Sequence, residues 1–163
     1  MMEGKAVRES ASEYSELALP NDANGLGSVL GGKVMHLVDL AAAMAAMRHA
    51  RKPAVTAAVD SLRFLHPVHI GELIVLRSSV NRVFRTSMEV GVKVETEKLM
   101  TGERLHTCSA YLTFVALDEN GKAAPIPPVI PETDDEKRRY REAGERREHR
   151  LAVRSRSQPG GGA

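Results

Sequence analysis

The most regular pattern along the chain is an alternation of apolar and polar residues at residues 86–97. Every second residue from Met88 to Val94 is apolar, and the positions between them carry glutamate, glycine and lysine. A period of two is typical of a strand that buries one face and shows the other to water. Apolar and β-branched segments predict further strands at residues 13–19, 54–65, 72–83 and 106–117, two of them stopped by Pro20 and Pro67.

One segment has a helical pattern instead. Between residues 34 and 49 the apolar positions recur at spacings of three and four, and they are Leu37, Val38, Ala41, Ala42 and Ala45. This spacing predicts a buried central helix. The predicted order is therefore a strand, a long glycine-bearing loop, a helix and four successive strands. Such an order favours an α+β domain with an antiparallel sheet packed on one helix, which is the hotdog architecture.

Length and composition indicate one domain with a tail. A chain of 163 residues that is 42% hydrophobic lies within the usual range for a single compact domain. Prolines crowd residues 125–131, and the charged run that follows has few apolar residues. We therefore expect three parts, which are an N-terminal extension at residues 1–12, the domain at 13–132 and a charged tail at 133–163.

The basic character of the chain is concentrated in this tail. Residues 134–156 hold nine Lys or Arg against six Asp or Glu, and the rest of the chain is close to neutral. Acidic residues at the start of the run predict a solvated helix over residues 134–151, and disorder is predicted from residue 155 onwards. Because tryptophan is absent, aromatics make up only 4% and no basic stripe with interleaved aromatics is present, we expect no nucleic-acid partner.

Further features set expectations for compartment and metal content. No stretch approaches the roughly 18 apolar residues of a membrane span, and residues 1–12 carry charges where a signal peptide needs an apolar centre. The single Cys108 makes no internal disulfide, which fits a reducing compartment. We therefore expect a cytoplasmic protein without membrane insertion. The histidines are not grouped as ligands and no Cys-x-x-Cys is present, so we predict no metal.

The glycine-rich segment before the predicted helix is the best candidate for chemistry. Its glycines let a ligand approach the main chain, and a helix start offers unpaired amide donors and a partial positive charge, which can hold an anion or polarise a carbonyl. Asp39 follows Gly32 by about two helical turns, so its carboxylate projects from the same face as that glycine. An acid on an apolar face needs a partner or a function. Structural interpretations stay open, with Asp39 capping a neighbouring segment, Asn24 forming a turn and the glycines serving as a connection.

The order of these residues resembles that of a known family. The chain carries Asp22-Ala-Asn24, then Gly27, then Gly31-Gly32 and then Asp39. This order is similar to that of the hotdog-fold acyl-CoA thioesterases, the group of the brain-type long-chain acyl-CoA hydrolases and their single-domain bacterial relatives. The similarity continues through residues 59–72, 82–87 and 111–121, and it covers about residues 13–132. The chain departs from the pattern at Leu26, where single-domain relatives often have a second asparagine.

The resemblance implies hydrolysis of the thioester between a fatty acyl group and coenzyme A. In such a reaction the amide of Gly32 polarises the thioester carbonyl, Asp39 acts as general base or as nucleophile, and Asn24 orients the water or the carbonyl. The family's active site lies across a dimer interface, so Asn24 of one subunit is expected to face Asp39 of the other. Hexamers built as trimers of dimers are common in the family. Coenzyme A is part of the substrate, and no cofactor is expected.

The resemblance also suggests binding residues. Candidates for the phosphates of coenzyme A are residues with cationic or hydroxyl side chains, namely Arg63, Arg82, Arg85, Thr86 and Ser87. The acyl chain is expected along the apolar helix face, beside Met35, Ala42 and Ala46. Two other functions stay open. One is a hotdog enoyl-acyl hydratase or dehydratase, which normally pairs an aspartate with a histidine, and the other is a non-catalytic acyl-CoA-binding sensor, which has no need of the acid.

Overall fold

The structure of the protein is a computed structural model that describes residues 2–157. Within these residues lie two α-helices, α1 (Gly31–Ala50) and α2 (Asp134–Ser157). The strands are β1 (Lys5–Ala6), β2 (Ser12–Leu17), β3 (Ala54–Phe64), β4 (Leu73–Val83), β5 (Ser87–Glu97), β6 (Arg104–Ala116) and β7 (Val129–Ile130). Neither helix contains a stretch that is long and apolar enough to cross a membrane.

The five long strands form one antiparallel sheet in the order β2-β4-β5-β6-β3. Helix α1 packs across one face of this sheet, and the hydrophobic core fills the space between them. The inward residues of β5 and β6 alternate with outward polar ones, as the period of two predicts. The predicted α+β arrangement of an antiparallel sheet around one long central helix is confirmed.

Helix α1 is longer than predicted at its start. It begins at Gly31 rather than near residue 34, and the carbonyl of Leu30 accepts hydrogen bonds from the amides of Lys33 (3.0 Å) and Val34 (3.3 Å). Glycine has low helix propensity, but the amides of a first turn need no intrahelical acceptor, so glycine is tolerated there. The helix ends where Arg51 takes a left-handed conformation with φ of 52°.

Strand β3 lies at an edge of the sheet. It pairs with β6, and within residues 2–157 no strand pairs with its other edge. Two register shifts interrupt the β3–β6 ladder, one between Thr56 and Ala58 and one between Val59 and Ser61. Apolar side chains of this strand are nevertheless open to solvent, since Val59 is 48% exposed and Phe64 is 45% exposed. A long, apolar, unpaired edge is a template for pairing with a further strand.

Helix α2 differs from the predicted solvated helix over residues 134–151. It extends to Ser157 and packs on the sheet face opposite α1, where Ala143 is fully buried. Arg146 donates two hydrogen bonds to the buried carboxylate of Glu89, at 3.0 and 2.7 Å. The charge pattern alone does not reveal this packing, because the partners lie far away in sequence. The predicted disorder is wrong for residues 155–157, which are helical, and the rest of that segment lies outside the described residues.

Candidate active site

Asp39 lies midway along α1 on the side that faces β3. Its Oδ1 accepts a hydrogen bond of 2.6 Å from the hydroxyl of Thr56. The aspartate is half-buried, and its Oδ2 has no hydrogen-bond or ion-pair partner within residues 2–157. The carboxylate is therefore held at one oxygen and free to accept a proton or a hydrogen bond at the other.

Asn24 forms a tight turn in the glycine-rich loop. Its side-chain Oδ1 accepts hydrogen bonds from the backbone amides of Leu26 (2.8 Å) and Ser28 (3.2 Å). The backbone amide of Asn24 donates to the Ser28 carbonyl at 2.7 Å. The turn needs the positive φ of 80° found at Gly27. The structural interpretation of Asn24 as a turn former is thus confirmed. Its side-chain nitrogen Nδ2 donates no hydrogen bond within residues 2–157, and the residue is exposed.

The first turn of α1 presents free backbone donors beside this loop. No side chain caps the helix, and within residues 2–157 the amides of Gly31 and Gly32 donate no hydrogen bond. A β-carbon at Gly32 would contact nothing within 4 Å, whereas one at Gly31 would touch the Phe64 ring at 3.7 Å. The Gly32 amide therefore has no acceptor within residues 2–157 and lies at the positive end of the helix dipole, where it can donate to a carbonyl oxygen.

Polar contacts fix the loop and the helix start to strand β2. Lys33 forms ion pairs with Glu16 (3.0 Å) and Asp22 (3.7 Å), and the Tyr14 hydroxyl donates to Glu16 at 2.7 Å. The hydrogen bond from Tyr14, followed by that from Lys33, lowers the pKa of Glu16 below its ordinary value. The backbone carbonyl of Asp22 also accepts a hydrogen bond of 2.8 Å from the Leu30 amide. The aspartate of the Asp-x-Asn motif thus has a structural role.

The structure does not bring Asn24 and Asp39 into contact within one chain. Among residues 2–157 the side chain of Asn24 bonds only its own loop, and that of Asp39 bonds only Thr56. The Oδ2 atom of Asp39 and the Nδ2 atom of Asn24 therefore each lack a protein partner within residues 2–157. A single chain presents two halves of a site rather than a closed one.

The residues predicted for the acyl pocket lie on different sides of α1. Met35 is 47% exposed, on the same side of α1 as Asp39. Ala42 and Ala46 have no exposed surface and belong to the core between α1 and the sheet. Their assignment to the pocket is corrected here, because side chains already packed on the sheet leave no room beside them for an acyl chain. The prediction assigned too many positions of α1 to the face that carries Asp39.

The residues predicted to bind coenzyme A are also divided. Helix α2 occupies two of them, since the Arg82 guanidinium stacks 4.2 Å from the centre of the Tyr140 ring and Ser87 accepts a hydrogen bond from Arg147 at 3.2 Å. Arg85 remains exposed in the β4–β5 turn, where its φ of 119° is strained for a residue with a side chain. Thr86 is half-buried in the same turn.

Arg63 lies far from that turn. Its strand partner is Ser109, whereas Ser87 pairs with Val115, so the two positions are roughly 20–25 Å apart along the strands. Arg63 therefore belongs to a different part of the sheet from Arg85. The five candidates do not form one cluster.

Other reactive groups lie away from this site. Cys108 is fully buried, and burial raises the pKa of its thiol, which keeps the sulfur in the unreactive protonated form. No group of three or more His, Cys, Asp or Glu residues arranged to hold a metal ion occurs within residues 2–157.

Similarity to known proteins identifies the family. Residues 26–103 match the thioesterase superfamily. Over 134 residues the chain is 44% identical to an uncharacterized acyl-CoA thioester hydrolase of Bacillus subtilis, and the match covers 82% of this chain and 78% of that protein. The chain belongs to the acyl-CoA thioester hydrolases of the thioesterase superfamily.

Solved structures extend the similarity of this thioester hydrolase to the whole fold. An apo-hexameric acyl-CoA thioesterase superposes with a TM-score of 0.92 at 41% identity, covering 96% of this chain and 100% of that one. An acyl-CoA hydrolase of Staphylococcus aureus, solved with butyryl coenzyme A, coenzyme A and coenzyme A disulfide, superposes with a TM-score of 0.88 at 37% identity, covering 94% and 93%. The fold is therefore the hotdog fold of the acyl-CoA thioesterases, as predicted.

Single-alanine variants of the same S. aureus hydrolase have also been solved, at an aspartate, an asparagine and a threonine. The sequence pattern of this thioester hydrolase points to an asparagine and an aspartate but not to Thr56. Its only sequence signal is a hydroxyl residue near the start of a predicted strand. That position does not reveal that it faces Asp39, because the contact depends on how α1 crosses β3.

Proposed function

We propose that this acyl-CoA thioester hydrolase converts fatty acyl-CoA and water to a free fatty acid and coenzyme A, with Asp39 as the general base. The observation that carries the proposal is the hydrogen bond from Thr56 to Asp39 Oδ1. It fixes the carboxylate and leaves Oδ2 free to accept a proton from water. The same oxygen is placed to attack the carbonyl directly, so a nucleophilic role of Asp39 is the alternative within the same site.

The chemistry needs a donor for the carbonyl oxygen as well as a base. As water adds to the thioester carbon, negative charge develops on the carbonyl oxygen, and the coenzyme A thiolate then leaves. The free amide of Gly32 supplies a donor at the positive end of α1, and Asn24 Nδ2 supplies a second donor to the carbonyl or the water. Met35 supplies exposed apolar surface for the acyl chain.

The two halves of the site are proposed to meet across a homodimer, with Asn24 of one subunit beside Asp39 of the other. Support comes from the absence of an Asn24–Asp39 contact in the described chain and from the open edge of β3, whose apolar side chains suit pairing with β3 of a second copy. Thr56 lies on that edge strand, so the strand that carries the base would also form the interface. Assembly of three such dimers into a hexamer fits the hexameric state named for the similar thioesterase.

The variants of the S. aureus hydrolase support the choice of residues. In that protein the substituted asparagine, aspartate and threonine follow one another at the same spacings as Asn24, Asp39 and Thr56 here. Residue type and spacing agree at all three positions. This agreement supports treating Thr56 as the third member of the site.

Binding of coenzyme A is proposed at the β4–β5 turn, through Arg85 and Thr86. Both side chains are free of α2, unlike those of Arg82 and Ser87. No cofactor is proposed for the reaction, because coenzyme A is part of the substrate. A cytoplasmic location is proposed as well, where the thiol of Cys108 stays reduced.

The proposal is tested by the rate of thiol release from a panel of acyl-CoA substrates. Asp39→Ala is expected to lower turnover by at least about a hundredfold, the scale for loss of a general base. Asp39→Asn is the matched variant, because it keeps the shape and the Thr56 contact but removes the base. Wild-type rates of thiol release in both variants would exclude Asp39 as the general base. Loss of enoyl absorbance without thiol release would favour a hydratase instead.

A further inference from the structure

Two side chains of the edge strand β3 contact helices on opposite faces of the sheet. The Thr56 hydroxyl donates to Asp39 on α1, whereas Asp60 Oδ2 accepts a hydrogen bond of 2.6 Å from Arg150 on α2. Successive side chains of a regular strand alternate between the two faces, so residues 56 and 60 belong on the same face. An uninterrupted β3 would therefore not place both side chains in this way.

The first register shift of β3 accounts for this arrangement. Thr56 lies opposite Phe114 of β6, which is fully buried in the core beneath α1. The next paired residue of β3 is Ala58, which lies opposite Thr113, so Ala57 is an extra residue without a partner on β6. One extra residue reverses the faces of the side chains that follow it. The orientation of Thr56 towards α1 therefore depends on this shift in register.

Asp60 is the extra residue of the second register shift. Besides Arg150, the hydroxyl of Thr113 donates to the same carboxylate oxygen, at 3.5 Å. Both neighbours of Thr113 on β6 belong to the core beneath α1, so Thr113 itself points to the other face, where α2 packs. The Asp60 carboxylate is thus held on the α2 side by one contact from β6 and one from α2.

The ion pair between Asp60 and Arg150 is shielded from water. The exposed fractions of the two side chains are 14% and 26%, so the pair is stronger than an ion pair on the open surface. Among residues 2–157 it is also the only hydrogen bond that joins α2 to β3. A register shift leaves a residue without its ladder partner, and side-chain contacts are then needed to favour it over the uninterrupted register.

We propose that Arg150 and Asp60 are positioning residues that act on the reaction through Thr56. This role rests on the function proposed above, in which Thr56 orients Asp39. The ion pair between α2 and β3 favours the shifted register, and the shifted register turns Thr56 to the α1 face. Arg150 itself lies on the other side of the sheet from Asp39. Without Arg150, β3 populates the uninterrupted register, in which the Thr56 hydroxyl points away from Asp39.

Steady-state thiol release by Arg150→Met tests the proposal. The value of kcat is expected to fall by about three- to tenfold, because the loss cannot exceed that of the Thr56 hydrogen bond. KM is expected to stay within about twofold, since Arg150 makes no contact with substrate. Arg150→Lys keeps a cation for one carboxylate oxygen and is expected to restore most of the lost kcat. Arg154→Met is the matched control, because it makes the same charge change one turn further along α2, where residue 154 forms no ion pair within residues 2–157.

A double-variant cycle shows whether Arg150 acts through Thr56. In the Thr56→Val background the hydroxyl is already absent, so adding Arg150→Met is expected to lower kcat by less than about a further twofold. A general loosening of the fold would instead lower kcat by the same factor in both backgrounds. Circular dichroism and the Tm verify that each variant folds. Asp60→Asn, which removes the carboxylate charge and the ion pair together, replaces Arg150→Met if the latter does not fold, with the same loss of kcat expected.

Failure of this role and failure of the proposed function give different results. The role of Arg150 alone is overturned if Thr56→Val loses kcat and Arg150→Met keeps it, or if the losses of the two variants multiply. It is also overturned if Arg154→Met loses as much kcat as Arg150→Met, or if Arg150→Met raises KM at unchanged kcat, because Arg150 would then contact the substrate. Wild-type kcat in Thr56→Val contradicts the proposed site itself, and the role of Arg150 fails with it.

Discussion

At the scale of single residues, the proposed site assigns separate roles to the two terminal polar atoms of an Asn or Asp side chain. Asn24 uses Oδ1 to hold its turn and Asp39 binds Thr56 through Oδ1, whereas Asn24 Nδ2 and Asp39 Oδ2 have no partner in the described part of the chain, residues 2–157. In both cases one atom fixes the geometry and the other is available for substrate or water. Structural and catalytic roles are therefore compatible within one residue.

Thr56 offers a test of this division of roles. Thr56→Val removes the hydroxyl without changing the shape of the side chain, so the Asp39 carboxylate loses the bond that orients it. Steady-state thiol release is expected to show kcat lower by about tenfold, which corresponds to one hydrogen bond to a charged group. Thr56→Ser is the control, because it keeps the donor and is expected to retain most of the activity. Equal kcat in Thr56→Val and wild-type protein would remove Thr56 from the site.

The sequence reveals residues of the site that share a local pattern and misses the one that does not. Asn24, Gly32 and Asp39 stand in one loop and the helix that follows, so their relation depends mainly on helical spacing. Thr56 meets Asp39 only through the packing of α1 on β3, and the β3 register shift just after Thr56 hides its orientation from a simple count of alternating positions.

At the scale of elements, α2 is bound to the sheet by arginines. Arg146 stacks 3.6 Å from the centre of the Tyr111 ring while it binds Glu89, and Arg150 donates to Asp60 at 2.6 Å. Asp60 lies within the second register shift of β3, so α2 also holds the edge strand. A charged sequence with few apolar residues predicts solvation, but these charges are partly satisfied within the fold.

The Glu89–Arg146 pair predicts a large loss of stability when only one partner is removed. Arg146→Met leaves the carboxylate of Glu89, which is 1% exposed, without its cation, and the free energy of unfolding is expected to fall by about 3–5 kcal/mol. Urea denaturation measures the change. The double variant Glu89→Gln with Arg146→Met is expected to recover part of the loss, since no buried charge remains. A loss below about 1 kcal/mol in the single variant would contradict the role of the pair.

The end of α1 predicts a pH dependence of stability. His49 is fully buried, its Nε2 lies 2.8 Å from the Pro127 carbonyl, and its Nδ1 has no partner among residues 2–157. Burial lowers the pKa of His49 below its ordinary value of 6.5, so the unfolded chain binds the proton more readily. This contribution to stability is complete above about pH 6.5 and is lost as the pH falls from there towards the folded-state pKa.

His49→Gln removes the titrating group and keeps a donor for Pro127. Urea denaturation at about pH 7.5 and about pH 5 is expected to show a smaller loss of stability on acidification in this variant than in wild-type protein. His149→Gln is the control, because His149 is exposed on α2 and its replacement is expected to leave the pH dependence unchanged. An identical pH dependence in His49→Gln and wild-type protein would contradict the account.

At the scale of the whole molecule, the proposed mechanism makes a single chain half of a catalytic unit. Order and type of the main elements follow from the sequence because each has a clear period. Where the halves of the site meet depends on an interface that no local pattern describes. Within residues 2–157 the apolar edge of β3 is unpaired, and Asn24 and Asp39 each keep one polar atom without a partner, so assembly is part of the proposed mechanism.

Subunit complementation tests this central claim most directly. Asn24→Asp keeps the acceptor that holds the turn but removes the Nδ2 donor, and Asp39→Asn removes the base, so each variant alone is expected to be almost inactive. The two chains carry different affinity tags, are produced together, and are purified as assemblies that contain both. Thiol release from acyl-CoA by these mixed assemblies is the measurement.

A shared site predicts recovery, because each mixed dimer then pairs one intact Asn24 with one intact Asp39. Turnover is expected to reach about a quarter to a half of the wild-type value, according to the fraction of mixed dimers. A site contained within one chain would leave every site with one defective residue. Mixed assemblies as inactive as the separate variants would therefore contradict the shared active site.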